Sequence, residues 1–135
     1  MKIHRRTIIT SLATTIAATT FAFAVSIAMA AQPVVEIIGF AHPPVQSALK
    51  PLREWLASQA TKLRVLEMDM DTPAAEKRLQ AIGLKGHIPI VILIDGKYKH
   101  TRKDGSVVEF VSFPTNTPDK GWIIEDVQTV LKDRK

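Results

Sequence analysis

The 135-residue chain contains no cysteine. That removes thiol nucleophiles, disulfides and every cysteine-ligated zinc or iron–sulfur site. Aromatic residues are sparse, with two Trp, one Tyr and five Phe, and they are not grouped into a stacking platform for nucleobases. No Gly-rich phosphate loop, zinc-spaced cluster or Ser/His/Asp order is present. The formal charge of +5 also says less than it suggests. Lys2, Arg5 and Arg6 stand near the N-terminus, and from Ala31 onward 15 bases face 13 acids, a net charge of +2. So small an excess gives no reason to expect nucleic acid as a partner.

What is present begins with those three bases. They precede a charge-free stretch from Thr7 to Pro33, rich in Ala, Ile, Thr and Phe, in which Ala28-Met29-Ala30 supplies a small-x-small sequence. A charged start, an apolar middle and a small-residue end predict a signal peptide over residues 1–30, cut after Ala30. The remaining chain, residues 31–135, is then periplasmic or secreted. The same stretch also reaches the roughly 20 residues that cross a bilayer; an uncleaved anchor is the alternative, and the only route to a membrane. Secreted domains near 100 residues often lean on disulfides. This one must be held by packing.

The organising stretch of that domain is Gly83 to Gly96. A glycine-bounded turn leads into Ile88-Pro89, then the apolar run Ile90–Ile94, closed by the hairpin dipeptide Asp95-Gly96. A run apolar on both faces predicts a central strand, and Pro89 at its entrance is a candidate for the cis form. Val34–Phe40 reads as a buried first strand interrupted by Glu36. Ala41-His42-Pro43-Pro44 breaks it. Val45, Ala48, Leu49, Leu52, Trp55 and Leu56 then fall on one face of a helix, which Pro51 is expected to kink. Leu63–Asp69 predicts a second strand, with Leu66, Met68 and Met70 on one covered face.

Thr72-Pro73 is a helix start and Gly83 fits its end, with Ala75, Leu79 and Ile82 facing inward. After the central strand, Asp95-Gly96 and Asp104-Gly105 offer turns around the polar segment Lys97–Lys103. Val107–Phe113 predicts an antiparallel strand. Pro118-Asp119 is expected to open a last helix burying Ile123, Val127, Val130 and Leu131. The order βαβ, α, ββ, α implies one α/β domain: a three-layer sandwich with a central mixed sheet of about four strands and helices on both faces.

The pattern Gly83-Leu84-Lys85-Gly86-His87-Ile88-Pro89, feeding a hydrophobic strand, resembles the cis-proline region of the thioredoxin superfamily. The likeness extends to Val35-Glu36-Ile37-Ile38-Gly39-Phe40-Ala41-His42-Pro43-Pro44-Val45, which lies without gaps over that family's first strand and its Cys-Gly-Pro-Cys motif. On that overlay Glu36 takes the place of the buried acid, His42 the nucleophilic cysteine, Pro44 the motif's proline and Val45 the resolving cysteine. Pro51 lies one residue late for the family's helix proline, and His87 looks like one extra residue before Pro89. The resemblance implies a thioredoxin-like fold whose thiol–disulfide exchange has been lost, because His42 and Val45 can neither attack a disulfide nor resolve one. It also implies a binding corner made of His42, Pro43, Pro44, Val45, Ile88 and Pro89, since in the family the backbone beside the proline pairs with an extended peptide.

The expectation is therefore an exported, redox-inactive module that holds an extracytoplasmic protein or peptide and needs no cofactor. The alternative is a periplasmic copper or zinc protein using His42 and His87, although two imidazoles alone make a weak site. Met68 and Met70 invite a copper reading, but core packing suits their alternation better. An enzyme with His42 as acid or base lacks a second catalytic group. Glu36 in an apolar strand must be protonated, partnered or near water. The bases Lys97, Lys99, His100, Arg102 and Lys103 suit a solvated hairpin better than a binding patch.

Overall fold

A computed structural model describes residues 31–134, so the signal-peptide reading of residues 1–30 lies outside the described residues. Ile90–Ile94 is buried at every position, as its unbroken apolar run requires. In chain order the elements are β1 (Val34–Gly39), α1 (Pro43–Ser58), β2 (Arg64–Asp69), α2 (Pro73–Ala81), β3 (Ile90–Ile94), β4 (Lys99–Thr101), β5 (Val107–Glu109) and α3 (Ile124–Lys132). The main sheet is mixed, in the order β2-β1-β3. β1 runs parallel to β2 from Val34↔Arg64 to Gly39↔Asp69, with α1 as the crossover. It runs antiparallel to β3 from Val35↔Ile94 to Gly39↔Ile90.

Because side chains alternate along a strand, β3 divides the core in two. Ile90, Ile92 and Ile94 join Val35, Ile37, Leu49, Leu52 and Trp122 on the face covered by α1 and α3. Val91 and Leu93 join Ile38, Ala75 and Leu79 on the α2 face. Each fully buried aliphatic side chain contributes about 1.5–3 kcal/mol. With no disulfide, this double-sided packing is what holds the sheet.

Several sequence expectations are corrected. The main sheet has three strands, while β4 and β5 form a two-stranded antiparallel sheet of their own. The expected strand Val107–Phe113 is split. Val107–Glu109 pairs with β4, and the next residues lie along the free edge of β3 through one bridge, Val91↔Val111, and two bonds, Ile92 N to Phe110 O at 2.9 Å and Ser112 N to Ile90 O at 2.8 Å. Ser112 then adopts φ +69°, which turns the chain out of the sheet. The polar segment Lys97–Lys103, between the two expected turns, contains β4.

The peptide bond Ile88–Pro89 is trans, like every other bond among the described residues. Gly83 and Gly86, at φ +79° and +95°, carry the glycine-bounded turn that leads into it. β2 is an edge strand and not a covered one: Val65 and Leu66 are 38% and 45% exposed. Met68 and Met70 are half-buried against the α2-side core. Helix α1 continues through Pro51, which is exposed and cannot donate the helical hydrogen bond to the Ser47 carbonyl. The last helix starts at Ile124 and not at Pro118, because Asp126 reaches back to the Ile123 N–H at 3.0 Å and fixes the start there.

Helix α2 follows its sequence signals closely. The Thr72 hydroxyl accepts from Ala75 N at 3.2 Å, and Pro73 takes the first helical position. At the other end Leu84 N donates to Leu79 O and Gly83 N to Gln80 O, at 3.0 and 3.1 Å. These two bonds are the glycine-terminated Schellman closure.

Candidate functional site

The carboxyl end of β1 is where the two candidate loops meet. Phe40 follows β1 and is almost fully buried. The His42 ring stacks on it at 5.2 Å and 15°, and the His87 ring stacks on it at 4.7 Å and 28°. The Phe40 N–H donates to Pro89 O at 3.3 Å. One aromatic residue thus ties the His42-Pro43-Pro44 bend to the loop that carries Ile88 and Pro89. Gly39 makes the approach possible: a Cβ there would stand 3.1 Å from Val45 Cγ1 and 3.6 Å from Pro89 O.

His42 is the N-cap of α1 in backbone terms, but its side chain makes no capping hydrogen bond. Pro43 and Pro44 occupy the first two helical positions, and the first helical bond runs from Gln46 N to His42 O at 3.2 Å. Only Val45 retains an N–H ahead of that bond, because proline has none. This helix end is therefore a poor cradle for an anion, in contrast to an end with its full set of donors. His42, His87, Pro43 and Pro44 are exposed, Ile88 and Pro89 are half-buried, and Val45 is wholly buried in the core. Val45 accordingly shapes the corner from below and presents nothing to a ligand.

The corner is braced by groups the sequence reading did not name. Gln46 Nε2 donates to Phe40 O at 2.8 Å, Arg53 Nη1 to Gln46 Oε1 at 2.7 Å, and Arg53 Nε and Nη2 to the Glu67 carboxylate at 2.8 and 2.9 Å. The relay joins the end of β1, the middle of α1 and the outer strand. A signal was present, since Gln46 and Arg53 are seven residues apart on a helix and so share a face. Glu36 is partnered, as burial in an apolar strand demands: Arg78 of α2 grips it with Nε and Nη2 at 2.8 and 2.7 Å. The guanidinium is held above its ordinary pKa by those hydrogen bonds.

Beside the corner lies a cleft of about 590 Å³, bounded by the β2–α2 turn, α2 and the Leu84–His87 loop. Phe40, Met70, Leu79 and Leu84 supply its apolar lining, and Asp71, Glu76, Lys85 and His87 its charged or polar one. On the far side of β3, Phe113 follows the left-handed Ser112 and is 42% exposed. Ser112 is held from two directions, its N–H on Ile90 O and its C=O on Trp122 Nε1 at 3.0 Å. Ser112 lies opposite Ile90, and the chain leaves the edge of β3 there.

The basic hairpin is largely paired off. Lys99 meets Glu109 at 2.9 Å, Lys103 meets Asp133 at 3.7 Å, and His100 packs on Phe110 at 5.0 Å with Nε2 2.9 Å from Lys97 O. Arg102 grips Asp126 of α3 at 2.8 and 2.7 Å and also reaches Gly121 O at 2.9 Å. Asp126 is only 9% exposed. Burial acts against its charge, but the Arg102 pair and the Ile123 N–H together keep its pKa below the ordinary value.

Among the described residues no three His, Asp or Glu side chains are grouped so as to hold a metal ion. His42 and His87 meet on a hydrocarbon ring. Among the same residues, no helix is long and apolar enough to cross a membrane. No protein-family model, curated protein or solved structure matches the chain.

Proposed function

We propose that the chain is a thioredoxin-like module without thiol chemistry, exported from the cytoplasm, which holds an extended protein or peptide segment at the corner formed by His42-Pro43-Pro44 and Ile88-Pro89. The observation that carries this reading is the double stack on Phe40, which fixes two exposed loops side by side at the mouth of the sheet. Strand order β2-β1-β3, parallel then antiparallel, with helices against both faces, suits such a scaffold. The absence of cysteine rules out thiol–disulfide exchange at the corner. With Ile88–Pro89 trans, recognition rests on shape and on exposed side chains at the corner.

The test is a peptide-display library panned against the immobilised protein. Ligands supporting the proposal are retained by the wild type and by Val107→Asp, which alters the exposed strand β5, but lost with Ile88→Asp and His42→Asp. Ligands indifferent to the corner changes would put the binding surface elsewhere and overturn the reading.

A further inference from the structure

Among the described residues β2 pairs with β1 alone, whereas the outer edge of β3 is met by Phe110–Ser112. Arg64 N donates to Pro33 O and Met70 N to Gly39 O, so the even-numbered residues of β2 turn their backbone groups toward β1. Backbone direction alternates along a strand, and Val65, Glu67 and Asp69 therefore turn theirs outward. The Asp69 C=O is already taken by the Thr72 N–H at 3.1 Å and the Thr72 hydroxyl at 2.7 Å. Val65 and Glu67 each keep an N–H and a C=O that no described residue uses. Neither a proline nor a bulge, two devices that close an edge, interrupts the strand. Val65 and Leu66 are both exposed on it.

We infer that this edge joins a second copy of the chain, antiparallel, about a two-fold axis through Leu66. Antiparallel strands match outward residue with outward residue, and an isologous contact returns the strand onto itself. With Leu66 on the axis, Val65 of each copy faces Glu67 of the other, and every free N–H and C=O of those residues finds a partner. An axis through Glu67 would set two carboxylates face to face and need the Asp69 C=O that Thr72 holds; one through Met68 would oppose Glu67 to Asp69. An axis through Val65 would pair Glu67 with Leu63, which precedes the strand. Charge favours the same orientation. Lys62 and Arg64 stand at the start of the strand and Asp69 and Asp71 at its end, none of them in an ion pair among the described residues. Antiparallel pairing lays the basic start along the acidic end of the copy, whereas a parallel partner would bring like charges together. Glu67, close to the axis, is already neutralised by Arg53. Leu66, 45% exposed, meets its own copy as a close pair with Cα atoms about 4.5 Å apart. Because β1 runs parallel to β2, the His42 corners of the two copies then point in opposite directions along one continuous sheet.

Sedimentation velocity over a concentration series tests this on the purified protein. The wild type is expected to pass from monomer to dimer in the micromolar range, as suits a contact of one strand from each copy. Leu66→Lys sets two ammonium groups on the axis, and Val65→Pro deletes an N–H that the described chain does not itself use. Each is expected to weaken the dimer about tenfold or more, with the fold checked by circular dichroism, while Val107→Asp on β5 leaves it unchanged. Since the chain has no cysteine, Leu66→Cys carries a single thiol, and on the axis two such thiols meet at a spacing a disulfide spans. Mild oxidation is expected to join Leu66→Cys into a covalent dimer much faster than Val107→Cys or the off-axis Met68→Cys. A monomer at every concentration, a dimer indifferent to Leu66→Lys and Val65→Pro, or Leu66→Cys oxidising no faster than Val107→Cys would each overturn the inference. None of these results bears on the peptide corner, which uses other residues.

Discussion

Glu36 and Arg78 form a two-pronged ion pair, Nε to Oε2 at 2.8 Å and Nη2 to Oε1 at 2.7 Å, which joins the middle of β1 to α2. The carboxylate is 13% exposed and the guanidinium 31%, so the pair is sheltered more on the acid's side. Arg78→Ala leaves the charge inside the sheet without its partner and is expected to cost about 2–3 kcal/mol. Replacing both residues by Leu removes the charges together and is expected to recover most of that loss. Urea unfolding of the two variants checks the difference.

Most of the fold was legible because its signals are local and repeated. The apolar run Ile90–Ile94, the Thr72-Pro73 start and the Gly83 end each have one low-energy solution, and the structure adopts them. Pro118 misled because a helix-start residue is only a permission; the start is decided by Asp126 bonding Ile123, an interaction tied to Arg102 on a distant hairpin. Met68 and Met70 pack on the core as their alternation suggested, but Leu66 of the same face misled, because alternation reveals a strand's faces and not whether the strand is central or at an edge. In the candidate site, His42 and Pro89 were visible as turn-makers. The Gln46–Arg53–Glu67 brace was hinted at only by the shared helix face of Gln46 and Arg53, since its closure on Glu67 depends on contacts that only the folded chain defines.

His100 predicts a measurable pH dependence. Burial pushes its pKa below the ordinary value, with the contact to Lys97 O opposing in part. The unfolded chain therefore takes up a proton at a higher pH than the folded one does. The stability this neutral ring contributes is present above about pH 6.5 and is lost as the pH falls from there through the lower folded-state value. Thermal melts between neutrality and about pH 5 are expected to show this decline, and His100→Phe, which keeps the stack on Phe110, is expected to flatten it.

Asp126 acts in a lower window. Its folded pKa lies below the ordinary carboxylate value, although burial opposes the charge. Its stabilising contribution is present above about pH 4 and disappears as the pH falls below that. Asp126→Asn removes this acid-side loss and also loosens α3 at neutral pH, by about 2 kcal/mol, because Arg102 and the Ile123 N–H lose a charged acceptor. Acid titration followed by far-ultraviolet circular dichroism separates the two effects.

Phe40 carries two jobs that different substitutions can separate. Phe40→Ala empties a buried site and is expected to cost about 3–4 kcal/mol. Phe40→Leu keeps most of the volume, costs about 1 kcal/mol, and removes the flat surface on which His42 and His87 rest. The Leu variant is expected to remain folded while its affinity for display-selected peptides falls several-fold. Unchanged affinity would mean that the stack does not organise the corner.

The most direct measurement is a ¹H–¹⁵N amide titration of the protein with a display-selected peptide. The shifts are expected to concentrate at Ala41, His42 and Val45 and along Lys85–Ile90, leaving β4, β5 and α3 unmoved. Shifts centred on the Lys99–Glu109 hairpin and α3, with the Phe40 surroundings silent, would contradict the account.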